Sequence, residues 1–169
     1  MKKLIVIMVL LCSICNIHAQ EVFKEIYDSS YKTFADAKED VEVRKIASFK
    51  VAALTYLNTK TLEILNDSTH ELNAKLMAQL MAKRDSQAYF MYDYINLFTK
   101  EYTRVSKKAD KDRVLKMFRD ASINNPLYND ADREFVLAYF NREDFLTQFS
   151  LDTDWVKANA DIRRKLRGE

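Results

Sequence analysis

Apolar residues recur at spacings of three and four along most of the chain, the period of one face of a helix. Val22, Phe23, Ile26, Tyr27, Tyr31 and Phe34 form the first such stripe, which predicts a helix from Gln20 to about Thr33. The segment "DAKED" interrupts it, and Asp36 with Glu39 three residues on has the pattern of an N-cap and its reciprocal acid. A second helix is predicted to run to about Leu65 on Val43, Ile46, Ala47, Phe49, Val51, Leu54, Leu57 and Leu62. "NDSTHE" punctuates next, with Ser68 and Glu71 spaced as a capping box.

A long helical pattern then extends from about Thr69 to Ser106, weakening at "KRDSQ", where one helix or two would fit equally. Its second half, "AYFMYDYINLFTKEY", is apolar on more than one side, which places it centrally among its neighbours. Asp110 to Ser122 gives a shorter helix on Val114, Leu115, Met117, Phe118 and Ala121. "INNPLYND" ends it, because the residue before Pro126 resists helical geometry and asparagine suits turns. Asn129 or Asp130 is placed to cap another helix with Phe135, Val136, Tyr139 and Phe140 inward. Residues 141–149 read as a short helical turn or loop, and a last helix runs from about Thr153 to Arg167. No fixed-period repeat emerges. The fold class is all-α, a single-domain bundle of about five to seven helices.

Composition sharpens this picture. Gly168 and Pro126 are the one glycine and the one proline, so hairpins and glycine-rich phosphate loops have no material to be built from. The first residues, "MKKLIVIMVLLCSICNIHAQ", combine a positive start, an apolar run too short to span a bilayer and a small-residue cleavage site. Residues 1–19 are thus expected to be a signal peptide and residues 20–169 a single α-helical domain exported to the periplasm or beyond. Cys12 and Cys15 follow Leu11 and Ile14, which argues against a lipid anchor. Both cysteines leave with the leader, so the domain is expected to stand without disulfides. Lys2 and Lys3 leave too, which brings the 27 basic residues level with the 25 acids. No global positive field then remains to attract nucleic acid.

The candidate chemistry is sparse. In "SLDTDW", Asp152 or Thr153 fits an N-cap and Asp154 a first-turn acid, with Trp155, Ala158, Ile162 and Leu166 inward. "NDADRE" fails as a calcium loop, since the sixth and twelfth positions from Asp130 are Phe135 and Asn141. His70 is the one histidine beyond the leader, and the zinc-protease spacing would need a second where Ala74 stands. Without thiols or paired histidines, no metal ligands, no cofactor-binding residues and no catalytic constellation are assigned. Leu76, Met77, Leu80, Met81 and Met91 suit core packing, and "RVSKKADKDRVLK" a solvated connection. Asp67-Ser68-Thr69 matches a short O-glycosylation acceptor pattern at Ser68, in conflict with the capping box.

The aromatic load is the less ordinary feature. Nine tyrosines, ten phenylalanines and one tryptophan are present, and Tyr89, Tyr92, Tyr94 and Trp155 are the candidate ligand or partner contacts. Two functions follow as expectations. One is a non-enzymatic interaction module of the cell envelope, binding a protein partner or itself. The other is a small-molecule or lipid carrier enclosing a small apolar ligand in an aromatic-lined pocket inside the bundle.

The leader, Gln20, "ASFKVAALTYL", "INNPLYND" and "FLTQFSLDTDWVKA" resemble a group of short exported all-helical proteins of unknown function from Gram-negative bacteria. That resemblance implies an exported helical protein and carries no catalytic or binding residues with it.

Overall fold

A computed structural model describes residues 22–67, 73–130, 132, 136–137 and 147–169. Among these residues the chain is all helical, with no strand. Five helices are described: α1 (22–35), α2 (Val41–Asn66), α3 (Ala74–Arg104), α4 (Lys108–Ile123) and α5 (Trp155–Leu166). Ser68, His70 and the capping box with Glu71 lie outside the described residues, as do the leader and most of the helix expected after Asp130.

Helix α3 is the axis of the bundle. It contacts α2, α4 and α5, and α4 also contacts α5. Phe49, Leu54 and Leu57 of α2, Met91, Tyr94, Ile95 and Phe98 of α3, Phe118 of α4, and Trp155 and Ile162 of α5 are completely buried. Their rings meet edge to face: Tyr94 lies 5.2 Å from Phe118, 5.7 Å from Phe149 and 5.4 Å from Trp155. Phe98 lies 5.2 Å from Phe149, and Phe49 lies 5.7 Å from Phe149 and 6.2 Å from Trp155. Such pairs add about 0.5–1.5 kcal/mol each beyond the area they bury.

Helix α3 is continuous through "KRDSQ". The apolar pattern weakens there because three inward positions, Arg84, Asp85 and Gln87, are buried and polar. Each has partners. The Arg84 guanidinium donates to Asp85 Oδ1 at 2.9 Å and to Asn58 Oδ1 of α2 at 3.0 Å, and it covers the Phe23 ring of α1 at 4.2 Å. Burial nevertheless pushes the Asp85 carboxyl above its ordinary value, against the pull of Arg84.

The start of α2 differs from expectation. Its N-cap is Asp40, which accepts from Glu42 N at 2.8 Å and Val43 N at 3.4 Å. Asp36 instead accepts from Lys38 N at 2.9 Å and organises the turn between α1 and α2. Both aspartates can cap; the turn consumes the first, and the helix begins after the second.

Candidate functional site

Among the described residues, the segment 149–155 concentrates buried polar groups: Ser150, Asp152, Thr153 and Asp154. Asp154, rather than Asp152 or Thr153, is the N-cap of α5, accepting from Lys157 N at 3.3 Å. Asp152 has a different task. Its Oδ1 accepts from Leu127 N at 3.2 Å and Tyr128 N at 2.8 Å, and its Oδ2 from Asp130 N at 2.9 Å. The loop after α4, which includes Asn129 at φ 52°, is thereby wrapped around one buried carboxylate. Thr153 Oγ1 donates to Ser150 O at 2.6 Å and sits 2.6 Å from Ser122 Oγ, which also accepts from Ser150 N.

Gln87 of α3 completes the junction. Its Nε2 donates to Asp154 Oδ1 at 3.0 Å, and its Oε1 accepts from Trp155 N at 2.7 Å. Burial raises the Asp154 carboxyl, but the Gln87 amide, the Lys157 N–H and the Lys157 ammonium together outweigh it and hold the group below its ordinary value. Asp130 is held low chiefly by Lys60, 2.9 Å away, with the Tyr56 hydroxyl donating as well. Asp161 is held low chiefly by the Asn125 amide at 2.9 Å. Every one of these acids is spent on holding backbone or neighbouring side chains, which is the chemistry of a structural junction.

A second arrangement is open to solvent. Helices α1, α2 and α3 enclose a groove of about 530 Å³. It is lined by Ser29, Ser30 and Thr33 of α1, by Val43, Ile46, Ala47 and Lys50 of α2, and by Tyr92, Asn96, Thr99, Lys100 and Thr103 of α3. The α2 and α3 contributions follow helical spacing, so each helix presents one continuous strip. Lys50 is partly buried; its Nζ donates to Asn96 Oδ1 at 3.0 Å and lies 4.4 Å from the centre of the Tyr92 ring. Burial lowers its pKa to about 8. No carboxylate lines the groove, and neither Lys50 nor Lys100 forms an ion pair among the described residues. The Thr33, Thr99 and Thr103 hydroxyls donate to the carbonyls of Ser29, Ile95 and Thr99 in their own helices.

The four aromatic residues singled out from sequence are divided by the fold. Trp155 and Tyr94 are core residues in ring contact, with the Tyr94 hydroxyl donating to Phe118 O. Tyr89 is 54% exposed, and Tyr92, 39% exposed, stands on the groove wall. The residues missed were Lys50 and its neighbours Asn96, Thr99 and Thr103. Their signal is a polar strip at helical spacing, which a search for apolar periodicity discards.

A second missed feature is the corner of α1 and α2. Phe23, Tyr27, Tyr31 and Phe34 form a ladder with successive ring centres 6.5, 6.3 and 6.3 Å apart. Its far end is exposed, Tyr31 at 53% and Phe34 at 38%, and Val41 and Val43 at the start of α2 are exposed as well.

Among the described residues no helix is long and apolar enough to cross a membrane, and no group of three or more His, Cys, Asp or Glu is placed to hold a metal ion. The chain matches no family model, no curated protein and no solved structure.

Proposed function

We propose that this protein is a non-enzymatic interaction module of the bacterial cell envelope, and that its contact surface is the α1–α2 corner. The observation that carries the proposal is the aromatic ladder, whose outer rungs Tyr31 and Phe34 stand in solvent in ring contact with each other, with Val41 and Val43 also exposed at the start of α2. Large apolar side chains exposed together rather than singly mark a surface that another chain covers. Rigid aromatic rings contribute contact area at low conformational cost, which suits them to anchor a partner. A carrier with its pocket inside the bundle is the weaker reading, because Tyr94 and Trp155 direct their rings at Phe118, Phe149 and Phe49.

The experiment is site-specific photo-crosslinking in the producing bacterium, with the crosslinking residue placed at position 31 and, as a control, at Val156 on α5. A discrete protein adduct at position 31, absent at 156 and lost on Phe34→Ser, is the expected result. No adduct at position 31, or the same adducts at both positions, would overturn the proposal.

A further inference from the structure

The α1–α2–α3 groove has a different character from the aromatic corner, and what it could hold follows from its donors and its walls. We propose that it is a binding site for a small amphiphilic carboxylic acid, the carboxylate held by Lys50 and Asn96 and the apolar stem lying along Val43, Ile46 and Ala47. This assignment does not rest on the protein-contact surface proposed above, although Val43 belongs to both.

Four observations lead to it. First, the groove carries two lysines and no acid among its lining residues, so its unbalanced charge is positive. A partly buried ammonium without a counter-ion is an unfavourable arrangement until an anion completes it. Second, the donors converge. Asn96 receives the Lys50 proton on Oδ1, which leaves its amide N–H groups as donors beside a Lys50 ammonium that has further protons to give. Third, the threonine hydroxyls spend their protons on helix carbonyls and face the groove as acceptors. They add no competing anion donors, which leaves the two ammonium groups; of these Lys100 is exposed, and Lys50 is the one partnered with the Asn96 amide. Fourth, the α2 strip that ends at Lys50 is otherwise aliphatic, with Val43, Ile46 and Ala47, and a volume of about 530 Å³ lies within the range of roughly 300–1,000 Å³ that small organic ligands occupy.

The lowered Lys50 pKa of about 8 gives the site a pH signature. An acid of this class is ionised throughout the neutral and alkaline range, so binding is strong while Lys50 is protonated and fades as pH rises through 8 and above. Lys100 and Tyr92, both on α3, are the other titratable groups on the wall; the α1 residues Ser29, Ser30 and Thr33 carry none.

The test is a titration of the full chain with sodium octanoate, followed by nuclear magnetic resonance of the lysine side chains. 1-Octanol serves as a neutral probe of the same stem and inorganic phosphate as an anion without one. The expected result is a saturable shift of the Lys50 signals with octanoate, affinity at least about tenfold above octanol and phosphate, and weakening of about tenfold or more between pH 7 and pH 10. Lys50→Met abolishes the preference for octanoate over octanol. Asn96→Leu, at an exposed position, removes both the amide donor and the acceptor that positions Lys50, and lowers octanoate affinity. Equal binding of octanoate and octanol, equal binding of octanoate and phosphate, or no saturable shift would each overturn the assignment. Crosslinking at position 31 reads neither way on it.

Discussion

Asp152→Asn is the sharpest test of how the C-terminal junction is held. The substitution preserves shape and changes one acceptor oxygen into a donor. Asp152 serves three backbone donors, Leu127 N, Tyr128 N and Asp130 N, at 3.2, 2.8 and 2.9 Å. The asparagine keeps its single oxygen for the pair on Leu127 and Tyr128, and its amide nitrogen then faces the Asp130 N–H. One hydrogen bond to a charged group is lost and two are weakened, where each was worth about 1.5–3 kcal/mol, and one N–H is left facing a donor. The residue is 1% exposed, so water offers little compensation. The total is about 3 kcal/mol, which for a domain of this size lowers Tm by roughly 6–12 °C. Urea unfolding followed by fluorescence of Trp155, the one tryptophan, measures it directly. Amide hydrogen exchange at Tyr128 and Asp130 should accelerate with it. A loss below about 1 kcal/mol, with exchange at those amides unchanged, would refute the claim that Asp152 organises the loop.

Two further outcomes follow from the ionisable groups. Asp130, Asp154 and Asp161 are all held below the ordinary carboxylate value in the fold, so the stability they contribute is full above about pH 4 and is lost as pH falls through their folded values. Urea midpoints should drop steeply between about pH 4 and 2; a flat profile there would count against these pairings. Lys50 has the opposite sign: with its pKa lowered from 10.5 to about 8, the fold disfavours its charged form, at a cost present below pH 8 and gone by about 10.5. The full shift corresponds to about 3 kcal/mol, reduced by the partial solvent access of the side chain. Lys50→Met should therefore raise stability by about 1–2 kcal/mol at pH 7 and by little at pH 10.5, and an unchanged or lower Tm at pH 7 would exclude the burial cost.

The helices were legible because their inward faces are apolar at helical spacing, as in α2 with Ala47, Phe49, Ala53, Leu54 and Leu57. The rest was hidden for specific reasons. At Arg84, Asp85 and Gln87 the inward face is polar, so the pattern fades where the helix does not. Asp152 looks like a helix cap because the local sequence suits one; its partners lie 22 to 25 residues away and leave no mark at short range. Tyr89, Tyr92 and Tyr94 stand so close in sequence that composition treats them alike, yet rotation about the helix sends only Tyr94 into the core. The groove went unseen because Lys50, Asn96, Thr99 and Thr103 are what any solvated helix face would carry.

The segment around Trp155 has a consequence for the order in which the molecule can be completed. Gln87 meets Trp155 across 68 residues and Asp154 across 67, and Phe49 waits for the rings of Phe149 and Trp155. During synthesis the first four helices emerge with the interior of α2 and α3 still lacking its closing rings, and loop-closure entropy delays such distant pairings further. Until then Phe49, Tyr94 and Phe98 remain exposed surface that invites association with other unfinished chains. Residues 149–155 therefore act as a latch: their docking supplies the rings and hydrogen bonds that close the core of α2 and α3.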